Sequence, residues 1–274
     1  MATRLVRTEG RGTPRVAPWL FPAAFGALAC AFLLAPGTLA AKSHAALHGL
    51  CAQIPSHSLT LGGQRLPLDA RMTGIYAGAF VTVLVLAVAG RWRATRFAPV
   101  RVWPLLAIPV LLLAIDGSNS LARDLRLPTL YSPSNELRLA TGLLTGVSLG
   151  VAVCMLLSGC LWRRGTPGLP VLAGVGEWLG LALAQVPVAL MLLSGVGWLS
   201  APAALFLVAS SLTLVGALVL ASGLILSGRD GQYETVTELA VPATAALFGA
   251  VAVLALAAGG RVWLESVVGR PPLT

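Results

Sequence analysis

Between Lys42 and Arg71 the chain carries His44, His48, Cys51, Gln53, His57, Gln64, Arg65 and Asp69, side chains that ligate, titrate or hydrogen-bond. His44, His48 and Cys51 stand at spacing i, i+4, i+7. On a helix that spacing puts two imidazoles and a thiol on one face, and Asp69 completes the four-ligand count that zinc and related ions take. The expectation is a transition-metal cofactor on His44, His48, Cys51 and Asp69, set against plain interfacial polar side chains. A second group follows, with Asp116, Asn119, Arg123, Asp124, Asn135, Glu136 and Arg138. Its guanidiniums suit a lipid headgroup or another small anion. The candidates for chemistry across both groups are Cys51, Asp69, Arg71, Asp116 and Arg138.

These groups must be held by elements that sit in lipid. The 274 residues are 57% hydrophobic and 11% charged with a mean hydropathy of +0.84, whereas a soluble domain carries about a quarter charged residues. Several apolar runs exceed the roughly 18 residues that mark a spanning helix. The net charge of +9 does not indicate a nucleic-acid partner, because the basic residues lie mainly between the apolar runs rather than in one patch. Cys30, Cys154 and Cys160 lie inside apolar runs, which leaves Cys51 alone in a polar segment and gives no disulfide framework.

The expected fold is all-α, a polytopic transmembrane bundle of about seven helices. The apolar runs are 17–40, 72–90, 102–115, 133–162, 170–198, 202–227 and 239–264. Residues 1–16, with Arg4, Arg7, Arg11 and Arg15, read as a disordered basic cytoplasmic tail. Residues 17–165 read as a four-helix unit carrying the polar site, and 166–274 as a three-helix extension. The first run resembles a secretory signal ending at Thr38-Leu39-Ala40, but its 24 residues favour a retained helix. The tail and the second-to-third connection, with Arg91, Arg93, Arg96 and Arg101, concentrate basic charge and place the N-terminus inside. Both polar groups then face the outer side of a prokaryotic cytoplasmic membrane. Glycines four apart, at Gly74 and Gly78, at Gly142, Gly146 and Gly150, and at Gly176 and Gly180, signal close helix packing.

Asp116 is the sharpest single residue. It lies 13 residues beyond Trp103, an interfacial anchor. That is about 20 Å of helix, which stops roughly 10 Å short of crossing a 30 Å core. An ionisable group at that depth needs a partner, for which Arg71 and Arg138 qualify; otherwise Asp116-Gly117 caps a short tilted helix. Ser132-Pro133 reads as the start of the fourth helix. Glu177 and Gln185, eight apart in the fifth, are expected to point into the bundle as an ion path or a single interhelical hydrogen bond.

The stretch Leu50-Cys51-Ala52-Gln53-Ile54-Pro55-Ser56-His57-Ser58, followed by Asp69-Ala70-Arg71-Met72-Thr73-Gly74-Ile75-Tyr76-Ala77-Gly78, resembles a prokaryotic membrane family known as domain of unknown function 2085. Its hallmark is similar to Cys-His-Gln-x-Pro-x-Arg-Ser followed by Cys-x-Arg-Cys-x-Gly-Ile-Tyr-x-Gly. Asp116-Gly117 and Asn135-Glu136-Leu137-Arg138 with Thr141-Gly142 resemble its downstream elements. The resemblance covers about residues 47–150. It implies that Cys51, Gln53, Arg71, Gly74, Tyr76, Asp116, Asn135 and Arg138 are the family-type positions, with Gln53, Tyr76 and Asn135 as ligand-binding candidates. This chain has Ala52, His57, Asp69 and Met72 where the hallmark has His, Arg and the paired cysteines, so the pair that thiol-disulfide chemistry needs is absent.

Three functional classes follow. One is a membrane enzyme or binding protein whose outward polar pocket takes a lipid headgroup or small anion. Another is a transition-metal-binding or transport protein. The third is a non-catalytic subunit or assembly factor, for which the partner is a membrane complex or a second copy of the chain. Membrane lipids are the partners common to all three.

Overall fold

Residues 17–269 are described by the computed structural model; the basic tail at 1–16 lies outside the described residues. The first apolar run is helical over α1, Ala17–Leu34, and ends where Ala35-Pro36-Gly37 interrupts it. Lys42 Nζ donates to the carbonyls of Leu33 and Ala35 at 2.8 and 2.9 Å, occupying acceptors that the helix end leaves open. A short helix, α2 (Leu39–Leu47), follows, capped by Thr38.

The polar stretch before the second span then forms a hairpin, β1 (Ser58–Leu61) and β2 (Gln64–Asp69), paired antiparallel from Ser58↔Asp69 to Leu61↔Gln64. Its two-residue turn is Gly62-Gly63, both left-handed at φ 57° and 79°, which suits the twist of a tight hairpin. Leu59, Leu61, Leu66 and Leu68 are buried and pack with Leu139, Leu143 and Leu207 from the helices below.

The spanning helices are α3 (Ala70–Val88), α4 (Trp103–Asp124), α5 (Asn135–Leu161), the pair α6 (Val175–Leu183) and α7 (Val186–Leu193), α8 (Ser200–Leu226) and α9 (Ala240–Val268). Counting α6 with α7 as one unit, six segments among the described residues are long and apolar enough to cross a bilayer, and the shorter Pro18–Leu34 is a further apolar helix, as the expected bundle of about seven requires. Large apolar side chains such as Leu111, Ile115, Leu226 and Leu256 point outward, as they do where the solvent is lipid. The fold is an all-α polytopic membrane bundle with small β additions at its two ends.

Three boundaries differ from the expectation. Helix α4 runs on to Asp124 rather than ending near Ile115, because Asp116, Asn119 and Ser120 on its inner face are buried and hydrogen-bonded, while its last turn is exposed. Helix α5 starts at Asn135, with Ser134 Oγ accepting from Leu137 N at 3.2 Å, so Ser132-Pro133 lies outside it. The fifth span breaks at Ala184-Gln185, two residues before Pro187, which cannot donate to the helix ladder.

Helices α3 and α5 are held at backbone contact by the glycine stripe. A Cβ on Gly74, Gly142 or Gly146 would come within 2.5–2.7 Å of backbone atoms of the facing helix. Gly176 and Gly180 have nothing within 4 Å and do not belong to this stripe, contrary to the expectation from spacing. At the far end of the bundle β3 (Ala94–Arg96) pairs in parallel with β4 (Thr166–Pro170), and Arg93 lies 4.1 Å from the Trp162 ring centroid. Tyr233 pairs with Trp162 in an isolated bridge there.

Candidate functional site

The hairpin end brings together the starts of α3 and α5 and the end of α4, so both polar groups meet there. Asp69 ends β2 and caps α3, its Oδ1 accepting from Met72 N at 2.8 Å. Its Oδ2 accepts from the Cys51 thiol at 3.0 Å, and Cys51 Sγ accepts from the backbone N–H of Gln53 and Asp69, each at 3.3 Å. Burial, followed by the Asp69 charge and hydrogen bond, pushes the Cys51 thiol up to about 11 from 9.0. The group is therefore a neutral thiol donating to a carboxylate, and its thiolate population at pH 8 is about 100-fold below that of a free thiol. Iodoacetamide labelling of Cys51, read on its own peptide, is expected to be at least that much slower in the native protein than in the denatured one, and to rise as the pH approaches 11. Labelling at the denatured rate at pH 8 would overturn this.

Gln53 has a left-handed backbone, φ 53°, uncommon outside glycine. Its side chain holds it there: Nε2 donates to the carbonyls of His44 and Pro67 at 3.0 and 2.8 Å, and Oε1 lies 3.2 Å from His48 Nδ1. His48 Nε2 faces Glu265 Oε2 at 3.2 Å across the bundle. Arg261, one turn before Glu265 on α9, donates to the carbonyls of His48, Cys51 and Ala52. The C-terminal extension thus clamps the Cys51 loop. Tyr76 is half-buried against the same core.

The metal constellation is not assembled. Helix α2 ends at Leu47, so the helical spacing of His44, His48 and Cys51 is lost. His44 Nε2 turns to the Arg65 carbonyl at 3.2 Å, His48 to Gln53 and Glu265, and Cys51 to Asp69. Among the described residues no group of three or more His, Cys, Asp or Glu stands where it would hold a metal ion.

Asp116 lies in the interior of α4 and is 1% exposed, so the reading in which it caps a helix at the surface is overturned. Arg71 Nη2 donates to its Oδ2 at 2.6 Å and the Tyr131 hydroxyl to its Oδ1 at 2.9 Å. Burial and the bond to Asp116 raise the Tyr131 phenol above its ordinary value. Asn119 on the same helix fixes the Tyr131 loop, accepting from Leu130 N and donating to the Tyr131 carbonyl.

Arg138, on the first turns of α5, is 5% exposed. Its Nη1 donates to Asn135 Oδ1 at 2.8 Å, and Asn135 Nδ2 in turn donates to the carbonyls of Ser56 and Ser58. Its Nε and Nη2 both reach Ser120 Oγ at 3.4 Å, the oxygen that Arg71 Nη2 also approaches at 3.1 Å. Three N–H donors therefore converge on a hydroxyl with two lone pairs. No ion pair joins Arg138 to a carboxylate among the described residues, and Arg71 Nε is buried without a partner. His57 closes the edge, 3.5 Å from Asp124; burial, then the nearby Arg138 charge, lowers its pKa and keeps it neutral near pH 7.

Glu177 and Gln185 belong elsewhere. Glu177 pairs with Arg91 at the far end and accepts from Ala173 N, which fixes the start of α6. Gln185 is buried at the α6–α7 break and donates to Leu181 O and Thr82 Oγ1. Ser120, Tyr131, Arg261 and Glu265 are site residues that sequence reasoning missed. Ser120 is one helical turn beyond Asp116, and Arg261–Glu265 is a charged i, i+4 pair on an apolar helix, so both left a local trace; Tyr131 left none.

The fold and this end of it define a multi-pass membrane protein with a cluster of buried polar residues at the hairpin end of the bundle. Residues 51–152 match the family described as Predicted membrane protein (DUF2085). The match spans the loop of Cys51, all of α3 and α4 and most of α5, the elements that carry the Arg71–Asp116–Arg138 cluster. No curated protein and no solved structure matches the chain.

Proposed function

We propose that this membrane protein binds an anionic group, a phosphate or carboxylate of a lipid headgroup or small anion, between Arg71 and Arg138. The observation that carries the reading is the buried Arg138 guanidinium without a carboxylate partner, sharing one hydroxyl with Arg71. Two guanidiniums face one fully buried carboxylate, Asp116, and Asp124 and Asp69 act on Arg138 only through space, without an ion pair. Buried charges are costly unless paired, and planar guanidiniums bind phosphate and carboxylate through two parallel N–H bonds. The arginine-rich far end supports a cytoplasmic N-terminus, so the site opens on the outer side of a prokaryotic cytoplasmic membrane.

The test is thermal unfolding of the purified protein with phosphate, sulfate or acetate added at constant ionic strength. An anion at 100 times its dissociation constant stabilises by about 2.7 kcal/mol. At least one of the three is expected to raise Tm in the wild type, and Arg138→Gln is expected to abolish that rise while still folding. A rise that persists unchanged in Arg138→Gln, or no rise with any of the three, would sink the reading.

A further inference from the structure

Helix α8 starts at the hairpin end, just after Trp198, which is 77% exposed. An exposed tryptophan at a span's end marks the headgroup level. From there one helix borders two cavities in succession. The first, about 320 Å³, has a mixed lining, with Ser200 and Ala204 of α8 bordering it beside the polar side chains of His44, Gln64 and Arg65. The second, about 600 Å³, is bordered by Leu205, Val208, Ala209 and Leu212 of α8, with walls from α1 and α9 that are apolar throughout. Neighbouring residues divide between them, Ala204 from Leu205 on α8 and His44 from Ala45 on α2.

Ser200 to Leu212 is about 18 Å of helix, close to the 15 Å half-thickness of the hydrocarbon core plus its polar margin. Polarity along this path therefore changes as it does across one leaflet. The Arg65 guanidinium makes no hydrogen bond or ion pair among the described residues, while its carbonyl is engaged by His44. The free Arg65 guanidinium at the first cavity and the unbroken apolar lining of the second call for an amphiphile with a charged head and a hydrocarbon tail, and an acyl chain supplies the tail.

From these two cavities we infer a binding site for one phospholipid with an anionic headgroup, the headgroup at Arg65 and His44 and an acyl chain along α8 between α1 and α9. This site is separate from the Arg71–Arg138 cluster and does not depend on it. Lipid provides both halves of the complementarity, a negative head for Arg65 and a chain for the apolar groove, whereas free phosphate provides only one.

The experiment is native mass spectrometry of the full-length protein after exchange into phosphatidylcholine nanodiscs with a minor fraction of phosphatidylglycerol. The wild type is expected to retain one phosphatidylglycerol in preference to phosphatidylcholine. Arg65→Gln is expected to reduce that preference about fivefold, the contribution of one basic residue at a membrane surface. Ala209→Trp, or Ala255→Trp on the α9 wall should the first not fold, is expected to remove the retained lipid by filling the groove. Arg138→Gln should keep the lipid that the groove variants remove, whatever it does to a headgroup at Arg71 and Arg138, which keeps failure here distinct from failure of the proposed anion site. Equal retention in Arg65→Gln and the groove variants, retention without headgroup preference, or displacement by inorganic phosphate alone would each overturn the inference.

Discussion

Gly146→Ala is expected to destabilise the bundle by about 3 kcal/mol or more, although alanine is the better helix former. In a helix interior the exchange alone favours alanine by about 0.5–1 kcal/mol. At Gly146 the new methyl would stand 2.7 Å from Ala79 N and Ile75 O and 2.8 Å from Gly78 Cα, all backbone atoms of α3. Side chains can rotate away from an intruding methyl, but a facing backbone can yield only by moving the whole helix. Overpacking costs about 1–3 kcal/mol even where side chains share the strain, and here Gly74 and Gly142 hold the same crossing closed. Gly180→Ala supplies the control, because nothing lies within 4 Å of a Cβ there; it is expected to stabilise by about 0.5–1 kcal/mol. Thermal unfolding of both variants in one detergent decides the matter. Opposite shifts are the expected result, and shifts of the same sign and size would show that the α3–α5 contact does not depend on the missing side chains.

The glycine contrast also shows where sequence spacing is informative. Spacing by four found the stripe on α3 and α5 and equally marked Gly176 and Gly180, because spacing records which residues share a helix face and not whether another helix covers it. The membrane bundle itself was legible, since hydrocarbon demands long apolar segments and leaves little freedom in how they are written. Asp116 was legible as a depth problem. Its solution was only half visible, because the polar residues after Ile115 read as a loop, whereas they continue α4 and bury Asp116, Asn119 and Ser120 on one face. The Gly62-Gly63 hairpin carried a signal in its paired glycines between apolar runs, yet the surrounding polarity read as an undivided loop. The metal set failed for a related reason: three ligands at helical spacing are neighbours only while the helix continues, and α2 stops at Leu47. Contacts such as Tyr131 to Asp116 and Arg261 to the Cys51 loop depend on how distant helices close together, and no local pattern specifies that.

Asp116→Ala is expected to cost about 3–5 kcal/mol, the range for removing one partner of a buried ion pair. The carboxylate is 1% exposed, its partner Arg71 is less than a third exposed, and the two are 2.6 Å apart. Removing it leaves the Arg71 guanidinium without its carboxylate, beside an Nε already lacking a partner, and orphans the Tyr131 hydroxyl. A double-mutant cycle isolates the pair: Arg71→Ala with Asp116→Ala should cost less than the sum of the single changes, by about 0.5–3 kcal/mol. Additive costs would mean that the contact contributes nothing of its own. The isosteric Asp116→Asn links this stability to the proposed function. It keeps an acceptor for Tyr131 but removes the negative charge that competes for Arg71, so two guanidiniums then face an incoming anion without a resident carboxylate. The Tm rise produced by the binding anion should therefore be larger in Asp116→Asn than in the wild type, even though the variant starts from a lower Tm, while Arg138→Gln loses the rise. An anion response unaffected by Asp116→Asn would separate the ion pair from the binding site and leave Asp116 a purely structural role.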